Sequence, residues 1–178
     1  KRDTAGVWNE TQKIVASDRE VNDYFGCSVS ISGDYSIVGA YFEEEDVNGA
    51  NTLGGVGYAY IFERNSSGVW NETQKIVASD REANDVFGHS VSISGDYAIV
   101  GAYQEDEDVS IVNTLNSSGS AYIFKRDTAG VWNETQKIVA SDRGNEDSFG
   151  YSVSISGDYA IVGAYQEDED ALTLNTLS

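Results

Sequence analysis

The chain has 178 residues, of which 40% are hydrophobic, so it can bury a core and is not a disordered tail. Its 30 acidic and 11 basic residues give a formal net charge of −19, which argues against binding to nucleic acid or to anionic membrane surfaces, since both need a basic surface. This charge fits a heavily solvated surface, attraction of cations or a salty medium around the protein.

Cysteine content and hydropathy further limit the class of protein. Cys27 is the one cysteine, so no disulfide forms within the chain and the core and sheets must hold the fold. No apolar run approaches the ~20 residues that a membrane-spanning helix needs. The chain opens at Lys1-Arg2-Asp3 without a signal peptide, so if the protein is secreted we expect a mature form or a piece of one.

Three near-copies of one unit of 62 residues make up the chain. Residues 63–116 and 125–178 are identical at 40 of 54 positions, so each copy should build the same unit of structure. We divide the chain into copies at 1–62, 63–124 and 125–178, the last of which lacks its final strand. The period is also seen in recurring aromatic residues: Trp8, Trp70 and Trp132, and Phe25, Phe87 and Phe149.

The second copy predicts four strands in chain order. Residues 90–94 alternate polar and apolar, as in a half-buried strand, and Gly95-Asp96 suits a type II′ hairpin turn. Residues 97–103 are an almost continuous apolar run, which is typical of a strand buried on both faces. A polar loop over 104–118 precedes a third strand over 119–124, and in the third copy residues 130–140 read as a fourth.

Four antiparallel strands about every 60 residues, without helical periodicity, predict an all-β fold of β-propeller blades. On this register we expect the copies to bury the same residues. These are Phe25, Phe87 and Phe149, and Ile37, Ile99 and Ile161.

Two short motifs recur in each copy: Phe-Gly at 25–26, 87–88 and 149–150, and Val-Gly-Ala at 38–40, 100–102 and 162–164. These motifs resemble those of the FG-GAP repeat family, which forms the propellers of integrin α-subunits, and most closely its microbial-type repeats. The resemblance covers the whole chain and implies blades of an extracellular β-propeller.

Two positions depart from the family pattern. Tyrosine stands at 41, 103 and 165, where the motif has proline, which should leave the fold unchanged. Gly-Asp turns at 33–34, 95–96 and 157–158 stand where integrin-type repeats carry a calcium loop. The integrin calcium sites are therefore not carried over.

Three copies fall short of the four to eight blades of a closed propeller. We expect either a fragment of a longer array or one partner of an assembly, because unpaired sheet edges readily pair with another copy. In one arrangement residues 1–16 complete the last blade, which still lacks the equivalent of residues 55–62.

Five tripeptides match the N-glycosylation sequon. One interpretation is that these asparagines are glycosylated, and the other is that they are ordinary residues of turns or sheet edges. The asparagines are Asn9, Asn71, Asn133, Asn65 and Asn116.

An acidic run follows the second strand of each copy. Clustered oxygens suit calcium, whereas the spacing lacks the pattern of an EF-hand loop, so a solvated loop is the alternative. The calcium candidates are Glu43, Glu45, Asp46, Glu105, Asp106, Asp108, Glu167, Asp168 and Asp170.

Catalytic signals are absent from the sequence. His89 is the one histidine, and Cys27 and Tyr151 hold its place in the other copies, so a variable strand position explains it. The recurring aromatic residues suit packing between blades better than sugar stacking. No nucleophile elbow or phosphate-binding loop is present, and we expect a protein that is not an enzyme and needs no cofactor unless calcium binds.

Three functions stay open at this point, of which an enzyme with a site at the central channel is the last. The first is an extracellular structural or adhesive glycoprotein that assembles with copies of itself or further repeats, into a fibre or a surface layer. The second is a propeller that recognises an extracellular protein or carbohydrate.

Overall fold

The computed structural model describes residues 1–45, 53–108 and 114–168. In these ranges the chain is all-β, with no helix, and so none that could cross a membrane. The ten strands are β1 (Val29–Ser32), β2 (Tyr35–Ala40), β3 (Tyr58–Arg64), β4 (Trp70–Ile76), β5 (Ser90–Ser94), β6 (Tyr97–Ala102), β7 (Ser120–Arg126), β8 (Trp132–Ile138), β9 (Phe149–Ser156) and β10 (Tyr159–Ala164).

The strands form three antiparallel sheets in chain order. The first sheet has the order β1-β2-β3-β4 and the second β5-β6-β7-β8, while the third pairs β9 with β10 within the described residues. The predicted four-stranded, propeller-like blade is confirmed in two of the three repeats. Since the copies are counted from residue 1, β3 and β7 run across the divisions at residues 62 and 124.

Each sheet begins with the predicted two-residue hairpin. Gly33, Gly95 and Gly157 have φ of 59°, 58° and 56°, and each is followed by an aspartate without a positive φ, as a type II′ turn requires. Ser32 pairs with Tyr35 across the first of these turns. The turn chemistry therefore sets the register of the first two strands.

Neighbouring sheets are joined by a repeated serine ladder, in which hydroxyls of one first strand meet backbone N–H groups of the next. The N–H groups of Ile93 and Gly95 donate to the hydroxyls of Ser30 and Ser32, at 3.2 and 3.0 Å. One repeat later, Ile155 and Gly157 donate to Ser92 and Ser94, both at 3.1 Å. The sheets thus stack by the same contacts each time.

Burial differs among equivalent residues because the first and the last described sheets each have one face that no other described sheet covers. Phe87 is fully buried, whereas Phe25 and Phe149 are half-buried, so the expectation of equal burial is wrong for these two. It is also wrong for Ile161, which is 71% exposed, while Ile37 and Ile99 are buried. Ile161 lies on the last described sheet, and no further sheet covers it among the described residues.

Residues 1–16 form no strand of their own and lie against the first sheet. The side-chain amide of Gln12 donates to the Trp70 carbonyl and accepts from the Trp70 N–H, both at 2.8 Å. Gln74 binds the backbone of Trp132 in the same way, at 2.7 and 2.8 Å. The segment therefore takes the place of an outer strand of a sheet preceding the first one, and its part in completing a last blade stays a prediction.

The glycines of the two family motifs lie where consecutive sheets touch. A Cβ built on Gly39 would be 1.9 Å from the Gly88 carbonyl oxygen, and one on Gly101 would be 1.9 Å from that of Gly150. Only glycine permits this approach of two backbones. The Phe-Gly and Val-Gly-Ala motifs therefore recur because their glycines contact each other between sheets.

This contact predicts unequal effects of one substitution at two equivalent positions. Gly101→Ala is expected to lower the free energy of unfolding by about 1–3 kcal/mol, because the added methyl group meets a backbone oxygen. Gly163→Ala is the matched control: its Cβ would meet the Ser152 hydroxyl at 2.5 Å, a side chain that can rotate away. Chemical denaturation measures both, and equal losses would contradict the backbone contact.

Candidate functional site

Acidic side chains gather where the second strand of each repeat ends. The first acidic cluster contains Asp18, Asp23 and Glu43 with Tyr60 and Lys75. The second contains Asp80, Asp85, Glu105, Tyr122 and Lys137. The third contains Asp147, Glu167 and Asp168.

A lysine ammonium group joins the carboxylates of the first cluster. Lys75 Nζ lies 2.7 Å from Asp18 Oδ2 and 3.2 Å from Glu43 Oε1. The Tyr60 hydroxyl lies 2.8 Å from Asp18 Oδ1 and 3.1 Å from Glu43 Oε2. The ammonium group also lies 4.1 Å from the ring centroid of Tyr58, on its face.

The second cluster repeats this geometry with almost the same distances. Lys137 Nζ lies 2.7 Å from Asp80 Oδ2 and 3.2 Å from Glu105 Oε1, and the Tyr122 hydroxyl lies 2.9 Å from an oxygen of each. The Lys137 and Glu105 side chains are only 8% and 1% exposed. The two lysines supply the positive charge that balances these carboxylates, of which Glu43 and Glu105 are buried.

The pKa values follow from burial and charge. Burial, with the bonds and charges of the adjoining carboxylates, raises the pKa of the Tyr60 and Tyr122 hydroxyls. Burial also raises the pKa of Glu43. Although burial alone would raise it, the hydrogen bonds from Lys75 and Tyr60 hold the pKa of Asp18 below its usual value.

In the loop before each Phe-Gly motif, an aspartate lies between two non-glycine residues with positive φ. Asn84 and Val86 have φ of 72° and 54°, values that are uncommon for residues other than glycine and costly for a β-branched one. Hydrogen bonds from these two N–H groups to the carbonyls of Gly54 and Gly55, at 2.8 and 3.0 Å, hold the loop. Asp85 between them is buried and accepts the Glu82 N–H at 2.5 Å. The same pair of positive φ values flanks Asp23 and Asp147.

We expect Asp85 to make the free energy of unfolding depend on pH. Burial and the charge of Glu105 raise its pKa from the ordinary 3.8 to about 8. Between these two values the folded chain binds more protons than the unfolded chain, so stability should fall as pH rises, by at most about 1.4 kcal/mol per pH unit. We expect denaturation midpoints from about pH 5 to about pH 8 to fall more steeply for the wild type than for Asp85→Asn. Parallel profiles would contradict this assignment.

The third cluster lacks both the lysine and the tyrosine within the described residues. Carboxylate oxygens of Asp147, Glu167 and Asp168 lie within 4.8 Å of one another. In the other two clusters those partners come from the third and fourth strands of the sheet, which the described part of the third sheet does not include.

The remaining calcium candidates take part in local contacts. Glu45 donates its N–H to Glu43 Oε1 at 2.9 Å, and Asp106 accepts the Ser117 N–H at 2.6 Å. Asp108 has a partner of its own. Asp46 and Asp170 lie outside the described residues. Calcium binding at the nine candidates stays a prediction.

The five sequon asparagines are all exposed, so each can be reached from solvent. Within the loops Asn65 accepts the N–H groups of Ser67 and Val69, both at 3.0 Å. The side-chain amides of Asn71 and Asn133 donate to the carbonyls of Val69 and Val131. Exposure is compatible with a glycan on Asn9, Asn71, Asn133, Asn65 and Asn116.

A row of aromatic rings crosses the three sheets at the same end as the acidic clusters. The row runs from Tyr41 through His89, Tyr103 and Tyr151 to Tyr165, with centroids of successive rings 4.6–5.6 Å apart. Its members are partly or largely exposed, up to 71% at Tyr165. The row is therefore an apolar strip open to solvent.

The variable position 27/89/151 lies in or beside this row. His89 contacts the rings of Tyr41, Tyr103 and Tyr151, and burial lowers its pKa. Cys27 is a free thiol whose Sγ lies 3.4 Å from the Gly88 carbonyl oxygen, and burial raises its pKa, which disfavours the reactive thiolate.

The lysine partners and the serine ladder were not predicted from the sequence. Lys75 and Lys137 recur with the repeat period in the strand that follows each tryptophan, which is the signal that could have singled them out. The acidic runs can be recognised from the sequence because their charges are adjacent along the chain, whereas a partner from another strand cannot.

The chain was compared with models of known protein families. A family model described as FG-GAP repeat matches residues 8–62, 70–124 and 132–174. A comparison with curated proteins found no relative that matches the chain.

Proposed function

The chain belongs to the FG-GAP repeat family, and we propose that it is an extracellular structural or adhesive glycoprotein without enzymatic activity. Repeats of this family are typical of extracellular and cell-surface proteins. In this proposal the stacked sheets form a scaffold that carries glycans and assembles into a fibre or a surface layer.

One observation carries the proposal: the recurring polar residues of the described sheets bind one another within the array. The serine ladder, the Gln12–Trp70 and Gln74–Trp132 contacts and the two lysine clusters repeat with the sequence period. Enzyme sites are usually single constellations of residues in one cleft. Polar contacts that recur with the repeat and hold the sheets together support a structural role.

The acidic surface and the exposed sequons support an extracellular setting. A net charge of −19 keeps such a scaffold soluble, and glycans would shield it. Tryptic glycopeptides of the native protein should carry sugar on Asn9, Asn71 and Asn133 if the source is a eukaryote. Unmodified asparagine at all three would remove this support.

Electron microscopy of the native material tests the proposed role directly. We expect ordered polymers or sheets outside the cell, labelled by an antibody against the chain. Labelling confined to the cell interior, or only isolated particles, would contradict the structural role.

The aromatic row favours a second candidate function, recognition of an extracellular protein or carbohydrate. Exposed rings in succession can stack on sugar rings or hold apolar side chains. Glycan and peptide arrays test this with Tyr151→Ala, and Tyr159→Ala serves as control because Tyr159 is exposed outside the row. Binding that only the first substitution removes would favour recognition.

A further inference from the structure

Within the described residues, the first and the third sheets expose complementary halves of one interface. We define the trailing face by Val29, Ile31 and Gly33 on the first strand of the first sheet. The leading face comprises Ser154, Ser156 and Ile161 on the third sheet. All six residues are exposed, although their equivalents elsewhere in the chain meet a neighbouring sheet.

The polar half of the match follows from the serine ladder. In both internal interfaces, hydroxyls at the positions equivalent to Ser154 and Ser156 accept N–H groups at the positions equivalent to Ile31 and Gly33. The leading face therefore presents two acceptors, and β1, which is an edge strand, presents two donors in the same spacing.

The apolar half of the match follows from burial. Ile31 is 66% exposed while its equivalent Ile93 is 4% exposed, and Ile161 is 71% exposed while Ile99 is fully buried. Packing against a sheet of the same kind thus covers each of these side chains wherever such a sheet is present. Two exposed apolar faces of this kind are expected to associate.

We propose that a second copy of this chain docks head to tail, with its trailing face on the leading face of the first. The N–H groups of Ile31 and Gly33 in one copy then donate to the hydroxyls of Ser154 and Ser156, respectively, in the other, and Ile161 becomes buried. This inference rests on the proposed scaffold function, since it names the surface by which such a scaffold grows. Because the contact is heterologous, it adds copies in one direction, into a ring or a filament.

Two single-face variants and their mixture test the contact. Val29→Asp blocks the trailing face, Ile161→Asp blocks the leading face, and Val21→Asp, at a residue 87% exposed outside both faces, is the matched control. Analytical ultracentrifugation of the 178-residue chain should show a mass that rises with concentration for the wild type and for Val21→Asp. Each blocked variant alone should stay at 19.3 kDa.

The mixture separates this contact from other modes of association. Each blocked variant keeps one intact face, so an equimolar mixture should form a 1:1 complex of two chains and nothing larger. Thermal unfolding and circular dichroism of each variant establish that it is folded, as expected for substitutions at exposed residues.

Several outcomes would overturn the inference. If the wild type is monomeric, the two faces do not bind each other and would bind only repeats of another polypeptide. A dimer unaffected by either substitution would indicate a symmetric contact elsewhere. A mixture that does not pair would exclude a head-to-tail contact. Ordered native polymers together with a monomeric purified chain would defeat the inference and leave the scaffold function standing.

Discussion

Replacing Lys137 with methionine is expected to lower the free energy of unfolding by about 3–5 kcal/mol, the usual loss when one partner of a buried ion pair is removed. Its ammonium group lies 2.7 and 3.2 Å from carboxylates of Asp80 and Glu105, of which Glu105 is 1% exposed. Methionine keeps the length of the side chain and removes the charge. The carboxylates and the Tyr122 hydroxyl would then share the cluster without a cation.

Lys13→Met is the matched control, because Lys13 occupies the same repeat position and is exposed. It should change stability by at most about 0.5 kcal/mol. The double variant Lys137→Met/Glu105→Gln should recover part of the loss, since it removes one of the uncompensated charges. Urea denaturation measures all three. Equal small losses at Lys13 and Lys137 would show that the second cluster is hydrated and not held by its lysine.

Much of the fold could be predicted because its signals are local. The alternation of residues 90–94, the Gly95-Asp96 turn and the apolar run that follows each depend on neighbours along the chain. The structure has strands at Ser90–Ser94 and Tyr97–Ala102, as expected. The sequences of the second and third repeats are almost the same, so they predict the same strands.

The sheet-to-sheet contacts could not be predicted because they join residues about one repeat apart in the sequence. Ser30 looks like any polar residue on the outer side of a strand until Ile93 is placed beside it. The same holds for Glu43, which from the sequence alone is expected to lie in a solvated acidic loop. In the structure Glu43 is 2% exposed and faces Lys75, a residue of another strand.

Equal burial of equivalent residues was the expectation that the structure corrects most clearly. A repeat predicts the same backbone in each copy, but burial depends on which sheets lie on either side. Trp132 is buried and its ring centroid lies 5.9 Å from that of Tyr35 in the preceding sheet, whereas Trp8, with no preceding sheet described, is 77% exposed. The exposure of each side chain therefore depends on whether a described sheet lies on the side to which it points.

Phe87→Ala is expected to lower the free energy of unfolding by about 3–5 kcal/mol, since it removes a fully buried ring from the core. The Phe87 ring meets those of Tyr122 and Phe124 edge-on, with centroids 5.6 and 6.0 Å apart. It also belongs to the apolar core between the first and second sheets, with Ile37 and Ile61. The substitution should therefore weaken both the second sheet and its contact with the first.

Phe25→Ala separates these two contributions. Phe25 makes the same ring contacts, with centroids 5.5 and 6.1 Å from those of Tyr60 and Phe62, but it is half-buried because no complete sheet precedes it in the described chain. Its loss should be smaller, about 1–3 kcal/mol. Denaturation midpoints of the two variants measured under one condition give the difference, which reports the share due to the neighbouring sheet. A loss at Phe87 below about 1 kcal/mol would mean that the ring lies at the surface and that the blade register is wrong.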